Sequence, residues 1–332
     1  MERNNGYKNL TNYFKKLLKR KEIDLDVLEE KNIIKPCIDG ASAVFWFKYF
    51  GVNVLFKRYK NEFCSYSELI SEELAKHLGL KNAQYDLAEF ENNKGVISYD
   101  FRKQNYEYEN IYSILLEYFK KVNPEDVSPY EYVYIDDAKT ERIDLYNNLE
   151  DIWLALEYYL YNDIKIDNKD VPKHIEKLMI ELTDRFCFQI ISGNYDMHCA
   201  NILLEISDDR KDISLAPMFD NEDMFKIADE ILYNFHEIPR LAIDQDDFAK
   251  EIDSNKMLRK YLFMSSEEFL ERLERMMQKI NEDTIYHIFQ DVEEKISRPI
   301  PEDIKKAVAI NFDKNISDIN NIIAEVKLQK RL

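Results

Sequence analysis

The stretch Gly193-Asn194-Tyr195-Asp196-Met197-His198-Cys199-Ala200-Asn201 decides how the rest of the chain is read. Asp, His and Asn alternate in it with small or apolar residues. It follows residues 172–192, where Ile175, Leu178, Met179, Leu182, Phe186 and Ile190 fall on one face at helical spacing, which predicts a buried helix. It precedes Asn201-Ile202-Leu203-Leu204-Glu205-Ile206, a polar turn at 207–211, then Ile213-Ser214-Leu215 and Pro217-Met218-Phe219-Asp220, which read as a β-hairpin. Asp196 and Asn201 thus stand at one end of a hairpin and Asp220 at the other, so that they can converge. A carboxylate that takes a hydroxyl proton, plus oxygen ligands for Mg²⁺, is what phosphoryl transfer requires. Asp196 suits the base, and Asn201 and Asp220 the metal ligands.

A kinase also needs a lysine on a strand, paired with a glutamate on the next helix. Upstream, 43–48 and 52–57 are rich in β-branched and aromatic residues around Tyr49-Phe50-Gly51, a hairpin signal. Lys57 ends its second strand, with Lys48, Arg58 and Lys60 as neighbouring cations. A helix at 67–79 follows, stopped by Gly79, and Glu68 opens it; Glu72 and Glu73 compete for the same role. Residues 85–89 and 95–99 read as two more strands around a turn at Asn92-Asn93. One or two helices are expected over 8–31. From about 106 helices dominate, at 108–121, 149–162, 172–192, 222–236, 266–280, 282–296 and 302–328. Pro301 suits the start of the last, and Ser265 with Glu268 forms a capping box. The expected fold is α+β and bilobal: a small β-rich N-lobe over 1–105 and a larger, mainly helical C-lobe over 106–332.

Composition narrows the function classes. Of 332 residues 45% are hydrophobic, ample for a packed interior, and only 6 are Gly, which disfavours a glycine-loop-dense dinucleotide-binding fold. A net charge of −18 disfavours direct nucleic-acid binding. The basic run at 15–21 is either the solvated face of a helix or a docking surface for an acidic partner. Cys37, Cys64, Cys187 and Cys199 form no CxxC pair, so no zinc ribbon or redox motif is present; Cys187 and Cys199 are expected to pack as small hydrophobes. The apolar stretch 44–56 is interrupted by Lys48, Gly51 and Asn53 and is too short to span a bilayer. With a polar N-terminus, the expectation is a cytoplasmic protein without membrane association, secretion as an effector remaining open.

Taken in order, four segments resemble the HipA-like serine/threonine protein kinases. Gly193–Asn201 resembles the family's G-N-x-D-x-H-x-x-N catalytic loop, and Leu215-Ala-Pro-Met-Phe-Asp220-Asn221 its metal-binding segment. Glu68 through Leu80 resembles its N-lobe helix, and Gly95-Val-Ile-Ser98 its strand leading to the adenine hinge. The resemblance covers roughly 37–240. It implies ATP and Mg²⁺ as cofactors and a protein substrate. It implies Asp196 as base, His198 as loop support, Asn201 and Asp220 as metal ligands, and Lys57 on the ATP phosphates with Glu68 as its partner. Gly40, Ala41 and Ser42 fall where the family has its phosphate loop, Ser98 where it approaches the adenine, and Ser42 is a candidate autophosphorylation site. ATP is expected in the cleft between the lobes. Two departures accompany it. Fewer than forty residues precede Asp39, too few for the N-terminal subdomain of longer HipA toxins, so docking to an antitoxin in their manner is not expected, although an antitoxin or other regulatory partner stays open. The phosphate loop has a single glycine, which favours a non-catalytic pseudokinase or interaction module as the alternative. A kinase for a lipid or small molecule is a further alternative, and a hydrolytic metal centre at Asp196 and His198 another.

Overall fold

The computed structural model of the protein describes residues 23–24, 33–37, 44–49, 52–59, 61–90, 92–122, 133–135, 138–140, 149–194, 199–225 and 267–329. The chain divides into two compact units. The first comprises Met1–Leu74, Ala83–Asp100 and Asp283–Ala309; the second comprises Ala75–Asn82, Phe101–Glu282 and Ile310–Leu332. This differs from a single division at 105. Residues 283–309 group with the first unit because Lys295 and Arg298 reach side chains of the 62–74 segment.

The first unit is built on a six-stranded sheet. Its strands are β1 (Ile23–Asp24), β2 (Ile33–Cys37), β3 (Val44–Tyr49), β4 (Val52–Arg58), β5 (Tyr85–Phe90) and β6 (Asn93–Tyr99), in the order β1-β5-β6-β4-β3-β2. The β3–β4 and β5–β6 hairpins are those expected from the β-branched and aromatic runs. β1 departs from the helix expected over 8–31: Ile23 pairs in parallel with Ala88, extending the sheet edge. Helix α1 (Glu62–Leu78) follows β4. Asn61 caps it, its Oδ1 accepting the Phe63 N–H at 2.9 Å. Gly79 ends it at φ 86°, with Leu80 N–H bonded to Ala75 O at 2.8 Å. Val54, Phe56, Leu69, Ile70, Val96 and Ile97 are fully buried.

The second unit carries a smaller sheet, β11-β10-β7, from β7 (Tyr106–Asn110), β10 (Leu203–Ser207) and β11 (Ile213–Leu215). The β10–β11 hairpin is as expected. β7 is not: the helix read from 108 begins only at α2 (Ile111–Val122), because Tyr106–Asn110 pair along β10 from Ser207 to Leu203. β8 (Val133–Ile135) and β9 (Ala138–Thr140) form a hairpin that was not expected either. Helix α3 (Leu149–Tyr158) runs into a π-helical turn at Tyr159–Asp163. Helix α4 (Val171–Ser192) is buried along most of its last two turns. Helix α5 (Glu267–Met277) belongs to the second unit, α6 (Thr284–Ile296) to the first, and α7 (Glu302–Gln329) contributes residues to both. Pro301 immediately precedes α7, and its carbonyl accepts the Lys305 N–H. The basic run 15–21, Ser265 and most of 222–236 lie outside the described residues. Cys187 and Cys199 are fully buried, and burial drives the Cys187 thiol pKa up, so it stays protonated and packs as an apolar group. Among the described residues no helix is long and apolar enough to cross a membrane.

Candidate active site

In the first unit, Lys57 is the sixth residue of β4, paired with Val44 on β3 and Val96 on β6. Its Nζ lies 3.3 Å from Glu68 Oε1 on α1, and the Tyr59 hydroxyl donates to the same oxygen at 3.0 Å. Glu68 is 0% exposed and Lys57 8%, so a full ion pair sits inside the unit. A buried cation and anion are tolerated only when each has a partner. Among the three glutamates that compete in sequence, Glu68 meets Lys57. Glu72 instead accepts the Tyr85 N–H at 2.8 Å and a hydrogen bond from Lys295.

Gly95 explains how Lys57 is seated. A Cβ at that position would lie 2.0 Å from the Lys57 carbonyl oxygen, so only glycine lets β6 approach β4 there. Ser98, three residues on, is buried and pairs with Leu55 and Tyr85. The strand then leaves the unit at Asp100, whose N–H bonds Asn53 O at 3.1 Å while Asn53 Nδ2 returns a bond to its carboxylate at 3.3 Å. Gly40, Ala41 and Ser42 lie outside the described residues.

In the second unit, α4 positions both ends of the β10–β11 hairpin. It stops at Gly193, in the left-handed region at φ 64°, and the Asn194 N–H closes the helix end on Gln189 O at 3.2 Å. Asp196 and His198 follow, outside the described residues. The chain is described again in a 3-10 turn at Cys199–Asn201 that delivers Asn201 directly before β10. At the other end, Glu181 accepts the Leu215 N–H at 2.6 Å and Arg185 donates to Ala216 O. Burial lowers the Arg185 pKa to about 10, which leaves it cationic at neutral pH. These two contacts tie the end of β11 to α4 directly before Pro217–Asp220. Asp220 itself sits at φ 64°, sparsely populated for a non-glycine residue and tolerated best by Asp and Asn.

The amides around this segment carry no role in the sequence reading, yet they link its parts. Asn194 Nδ2 donates to Asn221 Oδ1 at 3.2 Å, and Asn221 Nδ2 donates to Asn82 Oδ1 at 3.1 Å. Asn194 and Asn221 are almost wholly buried. Both stand inside the quoted motifs, which was the available signal; Asn82, separated from Asn221 by 139 positions, had none. Phe219 stacks on Phe101 with ring centroids 5.8 Å apart, joining the start of the second unit's Phe101–Glu282 segment to the residue before Asp220. Beneath the hairpin the buried Glu205 accepts from Lys103 at 2.6 Å and from Ser214 Oγ at 2.7 Å.

No protein-family model matches the chain, and no curated protein matches it. Solved structures do. The Helicobacter pylori proinflammatory kinase CtkA superposes with a TM-score of 0.64 at 20% identity, over 94% of this chain and 99% of that one. The fold is kinase-like. It is the α+β fold that the HipA-like resemblance implies. The HipA toxin of Shewanella oneidensis MR-1, solved with HipB and operator DNA, matches with a TM-score of 0.47 at 16% identity, over 94% of this chain and 70% of that one. Within the kinase-like fold, the paired lysine and glutamate belong to the first unit, and the 193–201 and 215–221 segments to the second.

Proposed function

We propose that the chain is an ATP- and Mg²⁺-dependent serine/threonine protein kinase of the HipA-like type. The observation that carries this is the buried Lys57–Glu68 pair on a strand and its following helix, in a chain that also places Asn201 and Asp220 at the two ends of one hairpin. The donor chemistry fits the cofactors. An amide and a carboxylate oxygen suit Mg²⁺, which prefers hard oxygen ligands and keeps several waters. A lysine held by a buried glutamate presents a fixed cation to phosphate oxygens.

In this assignment Mg²⁺ supplies neutralisation of the developing phosphate charge. Lys57 orients the ATP phosphates and Glu68 keeps its ammonium in place. Asp196 accepts the proton of the substrate hydroxyl as that oxygen bonds to the γ-phosphorus and ADP leaves. His198 supports the loop. Asn194 and Asn221 hold the two metal-binding segments to one another through their amides. Gly40, Ala41 and Ser42 form the phosphate loop, with Ser42 a site of autophosphorylation, and Ser98 lies beside the adenine. The partners are a protein substrate and, by analogy with the family, a regulatory protein; the cytoplasm is the proposed compartment.

Labelling of a lysate with ATP-γ-S in the presence of Mg²⁺ tests the assignment. Wild type is expected to thiophosphorylate discrete proteins, and correctly folded Asp196→Asn to lose that labelling. Equal labelling by both proteins contradicts the role of Asp196. Peptide mapping of the purified protein with and without ATP tests Ser42; an unmodified Ser42 in active enzyme removes it as the autophosphorylation site.

A further inference from the structure

The helix that carries Glu68 is held by charged contacts from a segment more than 200 residues away in sequence. Lys295, in the last turn of α6, pairs with Glu72 Oε2, one helical turn beyond Glu68. Both side chains are nearly enclosed, at 12% and 13% exposure. Glu72 also accepts the Tyr85 N–H, so one carboxylate ties α1 to β5 and to α6 together. Desolvation raises the Glu72 pKa and the Lys295 ammonium opposes that shift. Past the end of α6, Arg298 donates to the Tyr66 hydroxyl at 3.0 Å and to Glu62 Oε1 at 3.4 Å, and its guanidinium stands 5.8 Å from the Tyr66 ring centroid. Glu62, Tyr66 and Glu72 thus bracket Glu68 along α1.

The corner that presents Arg298 is itself braced. Ser297 ends α6 in the left-handed region at φ 55°. Glu293 then accepts the Ile300 N–H at 2.9 Å and pairs with Lys305 of α7 at 2.7 Å, which holds its pKa below the usual carboxylate value. Arg298 is therefore offered from a fixed turn rather than a free chain end.

We infer that Lys295 and Arg298 are positioning residues for the Lys57–Glu68 pair, clamping α1 so that Glu68 stays against the lysine. The clamp rests on the kinase assignment only for the use that Lys57 is put to. Its geometry is a statement about α1. Loosening it frees α1 to rotate or shift, which parts Glu68 from Lys57 and exposes the ammonium.

The experiment reads Lys57 directly. The full-length protein is treated with an N-hydroxysuccinimide acetyl ester and the acylation rate of Lys57 is followed by peptide mass spectrometry. Lys295→Met is expected to raise that rate roughly five- to tenfold, as local opening increases when one enclosed ion pair is lost. Lys295→Arg, which restores the cation, is expected to stay close to wild type, and Arg298→Met to give a smaller rise. If Lys295→Met does not fold cooperatively, Arg298→Met decides, since it leaves the Glu72 pair intact. An unchanged Lys57 rate in folded Lys295→Met, or in Arg298→Met where Lys295→Met does not fold, overturns the clamp. Failure of wild type to transfer phosphate would count against the kinase assignment, while the labelling result would still decide the clamp.

Discussion

Gly95 backs directly onto Lys57: a Cβ there would lie 2.0 Å from the lysine carbonyl oxygen and 3.1 Å from Phe56 Cε2. The obstacle is backbone, so the strand itself must give. Gly95→Ala is expected to destabilise the protein by about 1–3 kcal/mol, the cost of overpacking a closed interior. It is also expected to weaken ATP use, because β4 shifts at the residue that bears the ammonium. Urea denaturation checks the first outcome and the dependence of turnover on ATP concentration the second.

Removing Lys57 takes from Glu68 its cationic partner and leaves the Tyr59 hydroxyl on the same oxygen. Lys57→Met is expected to cost about 3 kcal/mol of stability, whereas Lys57→Met combined with Glu68→Leu is expected to recover most of it. Phosphoryl transfer should be lost in both. Activity that returned together with stability would mean that the pair serves the fold alone.

Asn221→Leu breaks the amide chain at its centre. Buried Asn194 loses one acceptor and Asn82 one donor. About 1–3 kcal/mol of stability is expected to go. The Mg²⁺ concentration needed for half-maximal activity is expected to rise, since the neighbouring Asp220 is then less firmly held. A Mg²⁺ titration of the variant gives the answer, and an unaltered Mg²⁺ requirement would dissociate Asn221 from the metal segment.

Acid should act on the sheet of the second unit. The Tyr106 hydroxyl donates to Asp212 Oδ2 at 2.7 Å, and this bond, helped by Lys177, holds the Asp212 carboxyl below its ordinary 3.8. A lowered folded pKa means that the stability gained is complete above the ordinary value and is lost as pH falls through the lowered one. The same contact pushes the Tyr106 phenol up to about 12, so it remains a donor through neutral pH. Tyr106→Phe is expected to flatten the acid limb of stability below the ordinary carboxylate value of 3.8 while leaving the neutral region nearly unchanged. Unfolding midpoints measured across that range check it.

Much of the fold was legible because its signals were local. The β3–β4 hairpin showed in β-branched and aromatic runs, α1 in its periodicity and in Gly79, and α4 in a stripe of large apolar residues. The failures came where tertiary pairing outweighed local pattern. Tyr106–Asn110 runs without a break into α2, and only Leu203–Ser207, almost a hundred positions later, makes it a strand. Ile23 gains its partner from Ala88 in the same way. In the site, Lys57 was recognisable from its strand end, but the choice among Glu68, Glu72 and Glu73 was not. It depends on which helix face meets β4 and on Lys295 occupying Glu72. The Asn82–Asn221–Asn194 chain joins three amides distant in sequence, and no spacing rule points to it.

The central claim is that the 193–201 and 215–221 segments and the Lys57–Glu68 pair serve phosphoryl transfer. The most direct measurement is transfer of ³²P from γ-labelled ATP by purified protein with Mg²⁺, comparing wild type with Asp220→Asn. The variant keeps the shape and tolerates the same left-handed backbone. Wild type is expected to label itself or an added protein substrate, and folded Asp220→Asn to be slower by roughly a hundred- to thousandfold, the effect of removing one charge-stabilising group. Wild-type rates in Asp220→Asn, or no Mg²⁺-dependent transfer by the wild-type protein, would contradict it.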